Sequence, residues 1–202
     1  MNYQDILDFW FGKETDPEYG MERSQWFTKN PDFDDQMRSL FLPHYNLAAA
    51  GELASWQAQP SSCLALIILL DQFPRNAFRD TPQAFATDPL ALAAANFALD
   101  SPRERLRQRQ FDQALLPVQR WFIYLPLEHD ENLANQERSV QLFLALKDDP
   151  QSNPHNSDTY NYAIRHRDII AKFGRFPHRN AILGRKSTPA EVEFLQQPGS
   201  SF

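Results

Sequence analysis

The sequence predicts an all-α protein of roughly eight to ten helices, and three observations carry that expectation. Apolar residues recur at helical spacing along nearly the whole chain. Segments open with a capping residue followed by proline, as at Asn30-Pro31, Thr81-Pro82 and Thr188-Pro189, a pairing suited to the first turn of a helix. Runs with the two-residue alternation of a strand are almost absent.

The elements follow in order. "YQDILDFWF" places Ile6, Leu7, Trp10 and Phe11 on one helical stripe, and "GMERSQWF" follows a polar loop at residues 12–20. The segment from Asn30 has acids in its first turn, where the helix dipole favours them, and Pro43 should kink or divide it. "SSCLALIILLDQ" is apolar all round and predicts a central buried helix. "TDPLALAAANFALD" is alanine-rich enough for close helix contact. After the charged run "SPRERLRQRQ", expected as a solvated helix face, two helices should meet near Pro126. Residues 148–158 read as a loop, and "TYNYAIRHRDIIAKFG" as a helix ending at Gly174. "STPAEVEFLQQ" closes the series, with Glu191 at capping-box distance from Thr188.

Composition narrows the function. The 202 residues, 42% hydrophobic, fit a single domain spanning 1–202 with a substantial core. With 26 acidic against 20 basic side chains the net charge is −6, which argues against a general nucleic-acid partner. Cys63 is the only cysteine, so neither a disulfide framework nor a cysteine zinc site can form, as suits a reducing cytoplasm. The N-terminal stretch carries acids where an export signal would be basic. The longest apolar run, Cys63 to Leu70, falls far short of the ~20 residues of a membrane span. The aromatic stripe Trp10, Phe11, Trp26, Phe27 and Phe33 is read as core before it is read as a peptide groove.

One internal echo stands out. "DQFPRNAFRDTPQAF", Asp71 to Phe85, and "GRFPHRNAILGRKSTPAEVEF", Gly174 to Phe194, share the order aromatic, Pro, Arg-Asn-Ala, Arg, Thr-Pro and Phe. Each copy should end a helix at Phe-Pro, turn through Arg-Asn and open a new helix at Thr-Pro. Asn76 and Asn180 lie 104 positions apart, too far for a solenoid period and consistent with two related half-units.

At these residues a resemblance emerges. "LALIILLDQFPRNAFR", "FATDPLA", "WFIYLPLEHDENLANQ" and "HRDIIAKFGRFPHRNAILGR" resemble, over essentially the whole chain, the bacterial domain-of-unknown-function 924 family. The resemblance implies packed antiparallel helix pairs of tetratricopeptide-like architecture and implies no activity. Asp130 stands in "HDE" where the resemblance leads one to expect serine, which removes a hydroxyl from that turn.

Four polar clusters interrupt the apolar helices: Asp71, Gln72, Arg75 and Asn76; Glu128 to Glu131 with Gln136; Arg165 to Asp168; and the acid-free window Phe173 to Lys186. Each lies at a helix end, so they could converge on one face. The simplest reading pairs their arginines with Asp71, Glu128 or Glu131 as helix-end ion pairs. The functional reading makes part of the cluster a site for a small anionic molecule, with Asp71, Arg75, Asn76, Arg175, Arg179 and Asn180 as ligand-binding candidates. His129, Glu131 and His166 are then candidate acid-base groups. Those three could also be read as metal ligands, but without a metal-binding spacing no metal site and no cofactor is expected. The rival reading is a scaffold whose helix pairs form a groove for a protein partner, with purely structural polar clusters.

Overall fold

The structure is a computed structural model describing residues 2–100, 111–149 and 157–201. The charged run 101–110 and most of the loop 148–158 lie outside the described residues. Among the described residues there is no strand.

Helix α1 (Tyr3–Phe11) starts where the Asn2 side chain accepts from Gln4 N, while Asp5 answers by accepting from Asn2 N at 2.7 Å. Its buried face is Ile6, Leu7, Trp10 and Phe11. Helix α2 (Pro31–Ala49) is capped by Asn30 and runs undivided through Pro43. Helix α3 (Pro60–Ile67) passes through a wider π-turn, Ile68–Gln72, into α4 (Phe73–Ala77), and this run is buried almost throughout. Helix α5 is Asp88–Asp100, α6 is Pro117–Glu128, α7 is Leu133–Lys147 and α8 is Ser157–Phe173. Gly174, at φ 69°, ends α8 as the sequence leads one to expect. The chain then makes a 3-10 turn at Pro177–Arg179 and closes with α9 (Pro189–Leu195), where Thr188 and Glu191 form the expected capping box.

Three sequence expectations are corrected. Pro126 does not separate two helices: α6 continues to Glu128, and the break falls at Asn132, whose side chain caps α7. Pro43 does not divide α2. The first Phe-Pro junction is not a helix end, because the π-turn carries the helix through Pro74. There Phe73 N bonds to Ile68 O, and the Leu70 carbonyl that Pro74 has no N–H to satisfy accepts instead from the Thr87 hydroxyl at 2.6 Å.

The principal packing partners are α1 on α3, α2 on α4, α5 on α3 and α6, α6 on α7, and α7 on α8. Neighbours in sequence therefore pack together from α5 onward, whereas a tetratricopeptide-like run of consecutive pairs does not organise the first half. The aromatic stripe is core, with Trp26 and Phe122 ring centroids 5.0 Å apart and Trp10, Phe11 and Phe33 buried around them; Phe27 alone is exposed, at 56%. Cys63 is fully buried, and burial pushes its thiol up to about 12.

Candidate functional site

The π-turn delivers Asp71, 1% exposed, to the place where the ends of α4, α5 and α6 meet. One of its oxygens lies 2.8 Å from His129 Nδ1 and 3.1 Å from Arg75 Nη1, and the other accepts from Gln72 Nε2 at 2.7 Å. Arg75 in turn forks onto Asp88 at 2.8 and 3.0 Å. Burial pushes the Asp71 carboxyl upward, but Arg75, His129 and Gln72 outweigh it and hold it well below the usual carboxylate range. Burial and the Arg75 cation hold His129 below its ordinary value, against the pull of Asp71.

Glu128 and His166 form a second buried pair, 3.2 Å apart. His166 Nδ1 also lies 2.9 Å from the Tyr162 carbonyl, which can only accept, so that nitrogen carries the proton. Burial lowers His166 to about 3. Burial, with the Asp71 charge adding, raises Glu128 to about 8, so at neutral pH both are uncharged. Glu128 Oε2 is buried without a hydrogen-bond partner among the described residues.

The basic window is neutralised piecewise by acids from other parts of the fold. Arg175 forks onto Glu191 at 2.7 and 2.8 Å, and Arg185 onto Glu131 at 2.6 and 2.9 Å. Glu131 also accepts from Phe176 N at 2.7 Å. Arg179 is different. It is 6% exposed, its guanidinium carbon lies 4.4 Å from the Phe176 ring centroid and 4.7 Å from that of Phe85, and its one ion pair among the described residues is a 3.5 Å approach to Asp88, already taken by Arg75. Its Nε, like that of Arg185, is buried with no partner among the described residues. Burial, then the neighbouring Arg75, lowers it to about 10.

With this geometry in place, comparison with known proteins gives the relationship. Residues 6–199 match the profile of a family described as bacterial proteins of unknown function, DUF924. The chain belongs to that family. A solved structure of a protein of unknown function from Agrobacterium tumefaciens is 39% identical to this DUF924 chain, covers 96% of each chain and superposes with a TM-score of 0.79. No curated protein matches the chain.

In this DUF924 member Asp71, Arg75, His129, His166 and Arg179 come together, and Glu131 borders them through Arg185 and Phe176. Arg175 lies apart with Glu191 and the Lys186 carbonyl. Asn76 and Asn180 are buried, but their partners lie outside this group, Asn76 accepting from Arg79 at 3.1 Å and Asn180 donating to Ser187 at 3.1 Å. Arg165 and Arg167 point elsewhere, Arg165 to the Gly199 carbonyl and Arg167 to Asp168. Among the described residues no group of three His, Cys, Asp or Glu side chains could hold a metal ion. No described helix is long and apolar enough to cross a membrane. An outer groove of about 480 Å³ between α7 and α8, lined by Glu137, Arg138 and Arg167 among others, includes none of the candidate residues.

Sequence reasoning missed Asp88 and Phe85. Asp88 stands in "TDP", which reads as a helix start and nothing more, and its role as shared counter-ion depends on contacts distant in sequence. Phe85 was marked only by its place in the internal echo and in the stretch "FATDPLA", with no role attached.

Proposed function

We propose that the protein recognises a small anionic ligand, binding it or turning it over, at the buried cluster centred on Arg179. The observation that carries the reading is the contrast among arginines. Arg75, Arg175 and Arg185 each have a carboxylate fork of their own, while Arg179, the most buried of the four, has only a stretched contact to a borrowed acid. A guanidinium is a fork of fixed donors suited to an oxyanion, and leaving one under-paired in a buried place costs stability unless something else completes it. Asp71 and Arg75 stand beside it as positioning groups, Asn76 and Asn180 are the buried residues that follow Arg75 and Arg179 in the chain, Arg175 supports the window from outside, and His129, His166 and Glu131 are the acid-base groups within reach of the cluster. A cytoplasmic setting agrees with a lone buried thiol.

The test is thermal. An anion present at a hundred times its Kd should stabilise the folded state by ~2.7 kcal/mol, or roughly 5–10 °C for a chain of this size. Sulfate, phosphate and small carboxylates should be compared on the wild type, Arg179→Ala and Arg175→Ala. The reading expects at least one anion to raise the wild-type melting temperature, Arg175→Ala to keep the shift and Arg179→Ala to lose it. No shift in the wild type, or the same shift in Arg179→Ala, would leave the tetratricopeptide-like interaction scaffold with structural polar clusters as the better account.

A further inference from the structure

The charges around Arg179 cancel. Facing the cluster are Asp71 and Arg75 from the π-turn and α4, and Asp88 from the start of α5. Glu128, His129 and Glu131 come from the end of α6 and its turn, His166 from α8, and His178, Arg179 and Arg185 from the segment after α8. The ionised carboxylates Asp71, Asp88 and Glu131 match Arg75, Arg179 and Arg185 one for one. Glu128 is uncharged near pH 7, as are His129, His166 and His178, the last lowered by burial to about 4. An anion entering this buried, balanced place would carry uncompensated charge into low dielectric. Recognition therefore requires at least one more positive charge at the moment of binding.

His129 is placed to provide it. Its Nδ1 is engaged by the Asp71 carboxylate at 2.8 Å, so Nδ1 is the donor and Nε2 holds the lone pair. Nε2 makes no hydrogen bond among the described residues, and the side chain keeps 15% of its surface exposed. The other rings are worse placed. His166 is 5% exposed and its nearest acid, Glu128, is itself protonated, while the acid near His178 is Glu131, already forked by Arg185. His129 alone has an ionised carboxylate bonded to the opposite nitrogen, ready to pair with the imidazolium.

We infer that His129 takes up one proton at Nε2 when an anion binds beside Arg179, so that the ligand is a small oxyanion held jointly by the Arg179 guanidinium and the His129 imidazolium. This rests on the anion-site reading above. One N–H bond forms with a proton drawn from solvent, and no other bond changes. The linkage is reciprocal: anion raises the proton affinity of His129 and proton raises the affinity for anion.

Sulfate is the probe, because it stays a dianion between pH 6 and 7.5, a window that also lies below the titration of Glu128. Calorimetric titration of the wild type at one pH in two buffers of different ionisation enthalpy should show about one proton taken up per sulfate bound. The sulfate Kd should rise by up to about tenfold per pH unit across the window. His129→Asn should bind at least tenfold more weakly at pH 6.5 and lose the proton uptake. Sulfate binding with equal heats in both buffers would overturn the inference and leave the anion site standing. Proton uptake that persists in His129→Asn would overturn the assignment to His129. Absence of any sulfate binding at tens of millimolar would overturn both.

Discussion

Replacing Glu128 by glutamine should stabilise the protein at neutral pH. The Glu128 carboxyl is 4% exposed, lacks a cationic partner and titrates at about 8 instead of the ordinary 4.5. Its proton is bound more tightly folded than unfolded, so its contribution to stability is complete below pH 4.5 and is lost as pH rises from there through about 8. At ~1.4 kcal/mol per unit, the loss reaches about 3 kcal/mol by pH 7 and about 5 kcal/mol above pH 8. Glutamine copies the protonated acid: one oxygen still accepts from His166, and an uncharged donor replaces the hydroxyl. Urea denaturation of wild type and Glu128→Gln between pH 5 and 9 should give curves that meet near pH 5 and diverge as pH rises, with unchanged m. His166 and His178 act in the opposite sense, their folded values lowered to about 3 and 4, so the stability they contribute is present above about pH 6.5 and lost as pH falls. That acid limb should be common to both proteins. Curves that stay parallel across the whole range would refute the burial of a neutral Glu128.

Two further outcomes are expected. Arg75→Ala strips the counter-ion from Asp71 and frees Asp88, and should cost roughly 3–5 kcal/mol in chemical denaturation, whereas Arg179→Ala should cost clearly less, because the acid it approaches, Asp88, remains paired with Arg75; equal losses would contradict the under-pairing of Arg179. Thr87→Val should cost about 1–3 kcal/mol by stranding the Leu70 carbonyl, and Pro74→Ala should recover part of that loss by restoring an N–H, so a double-mutant cycle should show coupling and strict additivity would count against the compensation.

The helices were legible because their signals are local. Asn30 with Pro31, Thr188 with Glu191, Gly174 at positive φ, and the stripe Ile6, Leu7, Trp10 and Phe11 all act within a turn or two of their own position. Pro126 and Pro74 misled for the same reason. A proline's cost is fixed locally, but whether a helix tolerates it is decided by who satisfies the freed carbonyl, and for Pro74 that group is Thr87, thirteen positions on. The polar clusters could be found from sequence because charge inside an apolar helix is conspicuous. Their pairing could not: Arg185, not Arg175 or Arg179, takes Glu131, and Arg175 goes to Glu191 on the opening turn of α9.

The internal echo explains how the site arises. Arg75 and Arg179 hold matching places in the two Phe-Pro blocks, and although one block lies within a helix and the other in a 3-10 turn, both guanidinium groups arrive at Asp88 and at the Phe85 ring. Matching sequence produced matching destinations without matching partners. A carboxylate offers two oxygens, and Arg75 occupies both at 2.8 and 3.0 Å. The second arginine is left with a 3.5 Å approach to an oxygen already bonded, and the neighbouring acids Glu131 and Glu191 are consumed by Arg185 and Arg175. Two cations converging on one anion leave a vacancy for negative charge on the side of the later one, and the Asp71-bonded His129 stands within electrostatic reach of it. An acid introduced in place of a neutral side chain next to Arg179 would occupy that place from within and, like the ligand, would draw a proton onto His129 to balance its charge, so the variant should show no sulfate-induced shift in melting temperature; a shift equal to that of the wild type would count against the vacancy.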